Sequence, residues 1–518
     1  MGLCRGDEVK AYKILKNSYY DSVTLMSTTV AIKKELKLKE LVMFMGTDMN
    51  KDMIKSVGLF DEHLQSAEPN DLMLAIDMIE DNPNWVDEVL ERLSAKKQGT
   101  KESQRDYKSI NQTIDDLNPN LAIISVPGIY AANEAYKALE KNLHVMLFSD
   151  NVSIEDEIQL KEIGVHKNLL VMGPDCGTAI INGKGLCFAN QVRRGNIGLV
   201  AASGTGLQEV TVIIDKFGGG ITQAIGVGGR DLTEKIGGKM MLMGIDSLNN
   251  DEHTEVIVLI SKPPHQSVLE KILERLKTVQ KPVILCLLDA KFDNQMKNIH
   301  FVSTLTEAAI KALQLTGKQT PDLLNLDEEA LRVIDSHRKK FKSTQKTVKG
   351  LFCGGTLTAE ALSVLRPFLK QVTSNVAKKE DEKMNNPLIS KGNNLVDLGD
   401  DTFTQGKPHP MIEPTIRLER ILDEAKNPET AVLLLDFELG IGSHADPIGV
   451  TLDTLLEAIN IAKKDGRDLA IVAYVCGTDK DHQNLNQSEQ RLKEIGVIVA
   501  KTNAHAARIA GKLIEGVE

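Results

Sequence analysis

The sequence predicts an α/β protein with parallel sheets covered by helices on both faces, and two observations carry that prediction. Short apolar runs alternate with amphipathic stretches through most of the 518 residues, the pattern of strand–helix–strand units. One strand–turn–helix unit also occurs twice. GLVAASGTGLQEVTVII turns at Ser203, Gly204, Thr205 and Gly206, and GLFCGGTLTAEALSVL turns at Cys353, Gly354, Gly355 and Thr356. Gly204, Thr205 and Glu209 align with Gly355, Thr356 and Glu360. Behind the first turn, Leu207, Val210, Ile213, Ile214 and Phe217 recur at helical spacing. A helix that opens on small residues presents free backbone N–H groups and a positive dipole end, which suits an anion and above all a phosphate.

The repeat extends beyond the turns. ITQAIGVGGRDLTEKIGGKMM corresponds to NNLVDLGDDTFTQGKPHPMI, with Gly228 against Gly399 and Thr233 against Thr404. The strands EVIVLIS and TAVLLLDFELG follow, then KPVILCLLDA and DLAIVAYVCGTDKD. The offset between copies grows from 151 (Gly204 to Gly355) to 171 (Gly228 to Gly399). The difference fits one insertion, SNVAKKEDEKMNNPLISKG, whose polarity predicts a mobile loop.

Ahead of the repeats, residues 18–60 read as a small α/β unit. A strand ends at Met43–Met45, and Gly46, Thr47, Asp48 and Asn50 form a polar strand-end loop. NDLMLAIDMIE reads as helical, and residues 81–118, including KKQGTKESQRDYKS, as an exposed helix and linker with 91–108 a solvated face. Residues 119–190 give three further strands, the last entering the Gly-rich turn of NLLVMGPDCGTAIING. A charged helix near 321–347 joins the two repeats.

Composition narrows the function classes. Hydrophobic content is 42% and formal net charge −10. No basic block interleaved with aromatics appears, which argues against nucleic acid. The opening residues MGLCRGDEVKAYK lack the apolar core of a secretion signal, and no apolar run approaches membrane-spanning length. Six scattered cysteines without a CxxC pair fit reduced thiols in the cytoplasm and give no metal-ligand spacing.

In parallel sheets ligands sit outside the carboxyl ends of strands, and the candidate residues lie there. Ser203, Gly204, Thr205, Gly206, Gly354, Gly355 and Thr356 are the anion-binding candidates. His444 in GIGSHADP, flanked by Asp446, is a catalytic candidate, as is His409 in GKPHPM next to Lys407, whose other role is loop packing. Arg230 can clamp a carboxylate or phosphate, or make a plain salt bridge. Asp436 is either catalytic or a buried hydrogen-bonded carboxylate at a helix start. Cys353 and Cys176 are nucleophiles or small core residues, and Asp175, Gly228 and Gly229 complete the set.

GPDCG at 173–177, SGTGLQEV at 203–210 and GVGGRD at 226–231 resemble consecutive landmarks of the succinyl-CoA synthetase alpha subunit, and the second repeat resembles the ligase domain that ends the beta subunit. With GPDCGTAI, CGGTL, GDDTFTQGKPHPMI and GSHADP the layout is similar to the FdrA family over nearly the whole chain. The resemblance implies an N-terminal α/β unit and linker (1–118), a Rossmann-like CoA-binding-type domain (119–190) and two flavodoxin-like ligase domains (191–345 and 346–518). It implies that the two turns face one anion from opposite sides, with CoA or a nucleotide as possible further ligands. The chain departs from the synthetases in four places, the first being that a GKGG-type CoA phosphate loop is not evident near its N-terminus. VILCLLDA continues into KFDNQ where they carry a phosphorylated histidine in Gly-His-Ala-Gly. SKPPHQS, with His265, replaces a Gly-Gly-Ser-Ala-type loop. No ATP-grasp domain is present. The family resemblance implies a subunit of an oxamate carbamoyltransferase in allantoin breakdown, acting with further protein subunits on an acyl phosphate such as carbamoyl phosphate. Two alternatives stand beside it: an acyl-CoA synthetase completed by an ATP-grasp partner, and a scaffold that senses a phosphorylated metabolite.

Overall fold

The computed structural model describes residues 9–18, 20, 25, 28–29, 32–33, 35–36, 38–47, 50–51, 54–55, 58–78, 83–97, 110–290, 296–404 and 408–516. They fall into two units, Met1–Asp106 with Gln405–Pro408 and Tyr107–Thr404 with His409–Glu518.

The first unit is an antiparallel sheet of β1 (Val9–Leu15), β2 (Glu40–Met45) and β3 (Leu72–Met78) in the order β1-β3-β2. Leu41, Met43, Leu72, Leu74 and Ile76 pack on one face with Trp85, Val89 and Leu93 of α1 (Trp85–Lys97). Val42, Met73 and Ala75 pack on the other with Ile54, Leu59 and Leu64. The expected helix at NDLMLAIDMIE is therefore strand β3, with all seven residues buried. A central strand covered on both faces shows no alternation, so periodicity does not separate it from a buried helix. The strand-end loop is tied by Asn50 Nδ2, which donates to the Met45 carbonyl at 2.8 Å. Asp48, Lys407, the KFDNQ segment at 291–295 and the charged run from 98 to 109 lie outside the described residues.

The second unit holds three sheets. Helix α2 (Ile110–Leu117) leads into a parallel sheet of β4 (Leu121–Ile124), β5 (His144–Leu147) and β6 (Val171–Met172), which carries α3 (Gly128–Glu140) and α4 (Ile154–Lys167). Next comes a hairpin of β7 (Thr178–Ile181) and β8 (Lys184–Cys187), then β9 (Arg194–Ala201), α5 (Gly204–Lys216), β10 (Ile221–Gly226), α6 (Lys239–Asn250), β11 (Val256–Ser261), α7 (Gln266–Leu276), β12 (Val283–Leu287), β13 (Ile299–Val302) and α8 (Leu305–Leu315). This sheet is ordered β13-β12-β11-β9-β10-β7-β8. The hairpin thus belongs to it, although the boundary expected at 190 assigns these strands to the preceding segment.

Helix α9 (Glu328–Arg338) leads into the second repeat: β14 (Thr347–Phe352), α10 (Gly355–Leu365), β15 (Thr373–Ser374), β16 (Asn394–Asp397), α11 (Asp401–Thr404), α12 (Thr415–Lys426), β17 (Thr430–Glu438), α13 (Gly449–Lys464), β18 (Ala470–Cys476), α14 (Leu485–Glu494), β19 (Ile498–Ala500) and α15 (Asn503–Ile514). Its order is β15-β16-β14-β17-β18-β19. With β9, β10, β11, β12 and β13 set against β14, β16, β17, β18 and β19, the two sheets share one flavodoxin-like order, and α5 and α10 both start at its switch point. The insertion predicted as mobile is pinned. β15 pairs with β16, Arg366 holds Glu382 at 2.7 Å, and Lys378 Nζ donates to the Pro263 carbonyl at 3.0 Å.

The repeats share one continuous core. Helix α5 is buried on its polar face as well, because that face meets the second repeat. The aligned glutamates make the contact reciprocal. Glu209 of α5 accepts the Asn503 N–H at the start of α15 (3.2 Å), and Glu360 of α10 accepts the Leu305 N–H at the start of α8 (2.7 Å). Burial raises both carboxyl groups above the ordinary range, and the Glu360 charge adds to the rise at Glu209. A raised native value means that the folded chain holds protons the unfolded chain has lost. Stability therefore declines as pH climbs from the unfolded value near 4.5 towards the native one. Each unit of elevation is worth about 1.4 kcal/mol. Melting temperature should fall between pH 5 and pH 9 in the wild type. Thermal scans of Glu360→Gln should show a smaller fall, by about 2–4 °C for each kcal/mol removed.

Candidate functional site

The first turn follows β9. Ser203 caps α5, its hydroxyl accepting the Gly206 N–H at 3.0 Å. The N–H groups of Gly204 and Thr205 meet no acceptor among the described residues. Two other glycine turns pack around it so closely that side chains have no room. A Cβ on Gly226 would lie 2.5 Å from Cys176 Sγ, and one on Gly228, at φ +83°, would lie 2.3 Å from the Pro174 carbonyl. Gly229 faces the carboxylate of Asp175, and Gly204 faces Thr178. GPDCG, SGTG and GVGG are thus one interlocked platform.

The second turn differs, because part of it is already used. Asp436, fully buried on β17, accepts the Cys353 N–H at 2.8 Å and the Gly354 N–H at 3.0 Å. Arg417 lies 3.6 Å from Asp436, donates to Cys353 Sγ at 2.9 Å and stacks on Phe437. Burial pushes the Cys353 thiol well up, so it stays protonated and is a poor nucleophile. Burial and the neighbouring Asp436 likewise raise Glu438. Ligand atoms of Cys353, Asp436 and Glu438 lie within 4.8 Å of one another. The guanidinium already supplies positive charge to this cluster. Gly354 therefore gives its N–H to the protein itself, and Gly355, Thr356 and Leu357 keep N–H groups without an acceptor among the described residues.

The two turns meet. Ser203 Oγ donates to Thr356 Oγ1 at 2.6 Å, and a Cβ on Gly354 would lie 2.9 Å from Thr205 Oγ1. Free N–H groups at Gly204, Thr205, Gly355, Thr356 and Leu357 therefore come from two abutting helix starts. Beside them are two residues that the sequence did not single out. A Cβ on Gly355 would lie 2.5 Å from Asp397 Oδ2 and 3.9 Å from Lys262 Nζ. Asp397 is 8% exposed, and burial raises its carboxyl to about 7 against the opposing effects of the Gly399 N–H and Lys262. Asp175 reaches solvent by surface area yet is densely surrounded by protein, as a side chain lining a cleft is. That surrounding raises it to about 6, helped by Asp150 and Asp401 and opposed by Arg230 and Lys262. Asp397 ends β16 and Lys262 follows the end of β11, and this position is the only signal in the sequence that could find these two.

His409 lies against this group. Its Nε2 is packed on Gly399, its ring tilts on Phe188 with centroids 5.7 Å apart, and its Nδ1 accepts the Met411 N–H at 3.2 Å. An accepting Nδ1 leaves the proton on Nε2. Burial lowers its pKa to about 4, so the ring is neutral at pH 7. No hydrogen bond joins His444 to the turns among the described residues. Its N–H bonds to the Met411 carbonyl, and its Nδ1 accepts the Asp446 N–H at 3.0 Å. Asp446 caps α13 through the Gly449 N–H and pairs with Arg491 at 2.8 Å. Arg230 makes a salt bridge rather than a free clamp, with Nε 2.9 Å from Glu157, which also holds the buried Lys161. Cys176 is buried, its thiol raised by burial to about 12, and is a packing residue. His265 caps α7 on the surface.

The fold and this junction define the class: paired flavodoxin-like domains of the CoA-ligase type, joined at two helix N-termini. The chain belongs to the FdrA-type family of succinyl-CoA-ligase-like proteins. It is 46% identical to YahF of Escherichia coli (strain K12) over 97% of this chain and 98% of that one. The family described as CoA-ligase matches residues 351–513, the CoA binding domain 192–287, and the AllF heavy metal-associated domain 9–109. The CoA binding domain match thus falls on the first repeat and not on 119–190. The succinate–CoA ligase [ADP-forming] alpha subunit of Aquifex aeolicus (strain VF5) is 26% identical over 34% of this chain and 59% of that subunit. A dinucleotide-forming acetyl-coenzyme A synthetase of Ca. Korarchaeum cryptofilum is 13% identical over 80% of this chain and 86% of that one, with a TM-score of 0.31.

Soft metal ions favour thiolate, thioether and imidazole donors. Residues 9–109 contain no cysteine and one histidine, the exposed His63, while Met43, Met45, Met73 and Met78 are buried in the two cores. Among the described residues this domain therefore offers no thiolate and a single imidazole. Among the described residues no helix is long and apolar enough to cross a membrane.

Proposed function

We propose that this chain is the FdrA-type subunit of an oxamate carbamoyltransferase, interconverting oxalurate and phosphate with oxamate and carbamoyl phosphate in allantoin breakdown, and that further protein subunits complete it. One observation carries the reading: free N–H groups from two abutting helix starts, with Lys262 beside them. Each helix start contributes about half a positive charge. Together they suit the phosphate of an acyl phosphate and the charge that grows on it as the acyl–oxygen bond breaks. In this reading Gly204, Thr205, Gly355 and Thr356 hold the phosphate, while Ser203, Gly206 and Gly354 set the approach of the two turns. The Thr356 hydroxyl accepts from Ser203 and so keeps its own proton for the ligand. Asp175 and His409 line the cleft. No residue has to carry the phosphate covalently.

The test is to purify the chain with the products of neighbouring genes and supply oxamate and carbamoyl phosphate. Oxalurate should form, with phosphate released in equal amount. Absence of oxalurate from every combination would overturn the assignment.

A second reading, an acyl-CoA synthetase completed by an ATP-grasp partner, rests on one observation. Val126, Ile129 and Tyr130 lie exposed after β4, around the start of α3, and such an apolar strip suits an extended thioester arm. It predicts acid-labile label on the chain from radioactive ATP.

A further inference from the structure

We propose that Asp397 is the general base of the transfer and that Lys262 holds the carboxylate of the acceptor, so that the acceptor is an amide or amine with a carboxylate near its nitrogen. The inference rests on the acyl-phosphate reading above and adds the acceptor half of the site.

The placement of Asp397 is unusual for a buried carboxyl group. One oxygen is satisfied, since Oδ1 accepts the Gly399 N–H at 2.9 Å. The other, Oδ2, accepts no hydrogen bond among the described residues and is aimed at Gly355, where a Cβ would be 2.5 Å away. The backbone of Asp397 is fixed by Asn375, whose side chain both accepts its N–H and donates to its carbonyl, each at 2.9 Å. A rigid carboxyl therefore keeps a bare oxygen at the edge of the phosphate-sized cradle. Burial costs the charged form more than the neutral one. The elevation of Asp397 to about 7 is where a general base works best at neutral pH.

Lys262 answers a different need. Beside a helix N-terminus a lysine is electrostatically misplaced unless anions offset it. Asp397 and Asp175 both feel its charge. With a phosphate held by the backbone N–H groups, the lysine is left to a second anionic group. Lys378 is the other cation that senses it.

The step balances without a further reagent. The nitrogen of the acceptor attacks the acyl carbon, the N–C bond forms and the C–O bond to phosphate breaks. The electron pair of that bond leaves on the phosphate oxygen, and the nitrogen's proton passes to Asp397 Oδ2. In the reverse direction Asp397 returns the proton as phosphate attacks.

Two measurements on the full chain test this, with sulfate as the anion probe because it does not titrate near pH 7. Sulfate binding by calorimetry should weaken about tenfold from pH 6 to pH 8 in the wild type, as the ionised Asp397 comes to oppose the anion. Asp436 and Asp400 also face Asp397 and add to its elevation, and in Asp397→Asn the fall should shrink to the shallower one set by Asp175, whose carboxyl lies at about 6. In the assembled complex, Asp397→Asn should lower kcat about 100-fold or more and remove the rise in kcat through pH 7, while the KM for carbamoyl phosphate stays within about threefold. Lys262→Met should raise the KM for the acceptor alone. Sulfate binding that is flat with pH in the wild type, or an Asp397→Asn enzyme that keeps its pH limb, would overturn the proposal while leaving the phosphate cradle intact. No sulfate binding at any pH would overturn the cradle itself and the acceptor site with it.

Discussion

Gly355→Ala should abolish most anion binding and leave the protein folded. The added Cβ would lie 2.5 Å from Asp397 Oδ2 and would enter the space between the two helix starts. Gly355 is the first residue of α10 and has no left-handed φ. Alanine is therefore compatible with its backbone, and helix propensity favours it by up to about 1 kcal/mol. Relief of the clash requires the carboxyl of Asp397 to swing away or the ligand to shift, and either breaks contacts to the anion. Charge-assisted hydrogen bonds contribute about 1.5–3 kcal/mol each, so loss of one or two weakens binding by roughly 10- to 10,000-fold. Calorimetric titration with inorganic phosphate measures the loss, and a thermal scan verifies folding. Unchanged affinity would place the phosphate elsewhere.

Asp436→Ala should have the largest effect on stability. The substitution leaves the Cys353 and Gly354 N–H groups without their acceptor and strands Arg417, whose side chain is 4% exposed. Breaking a buried ion pair from one side costs about 3–5 kcal/mol, which corresponds to a fall of roughly 10 °C in melting temperature. Asp436→Asn keeps one acceptor oxygen and should lose less. If the stranded charge is the cause, Arg417→Met added to Asp436→Ala should recover part of the loss, and a double-mutant cycle in thermal unfolding measures that coupling. Additive losses would mean that Arg417 and Asp436 act independently.

These two residues also mark how far the sequence could be read. Both turns were visible because a strand entering small residues and then an amphipathic helix leaves a clear pattern, and its recurrence exposed the pairing of Gly204 with Gly355. The alignment of Glu209 with Glu360 was visible too. Their role was not, since it depends on which helix starts they meet across the interface. Asp436 stood out as a carboxylate in an apolar strand, but only the fold shows that it consumes half of the second turn's donors. Lys262 and Asp397 are single charged residues at strand ends with no local signature. They become a pair only when β11 and β16 bring their carboxyl ends to one place. Sequence leaves Arg230 open between a ligand clamp and a salt bridge because its partner, Glu157, lies far away in the chain. β3 was misread for want of alternation, and the β7–β8 hairpin crossed an expected boundary because pairing with β10 leaves no mark in composition.

The central claim is that two related domains build one site that holds a phosphorylated substrate and not a phosphorylated enzyme. Its most direct test is a crystal structure of the full chain soaked with inorganic phosphate. One phosphate should lie between the two turns, within hydrogen-bond distance of the Gly204, Thr205, Gly355 and Thr356 N–H groups and bonded covalently to no side chain. A phosphate bound elsewhere, or density continuous with His409 or His444, would contradict it.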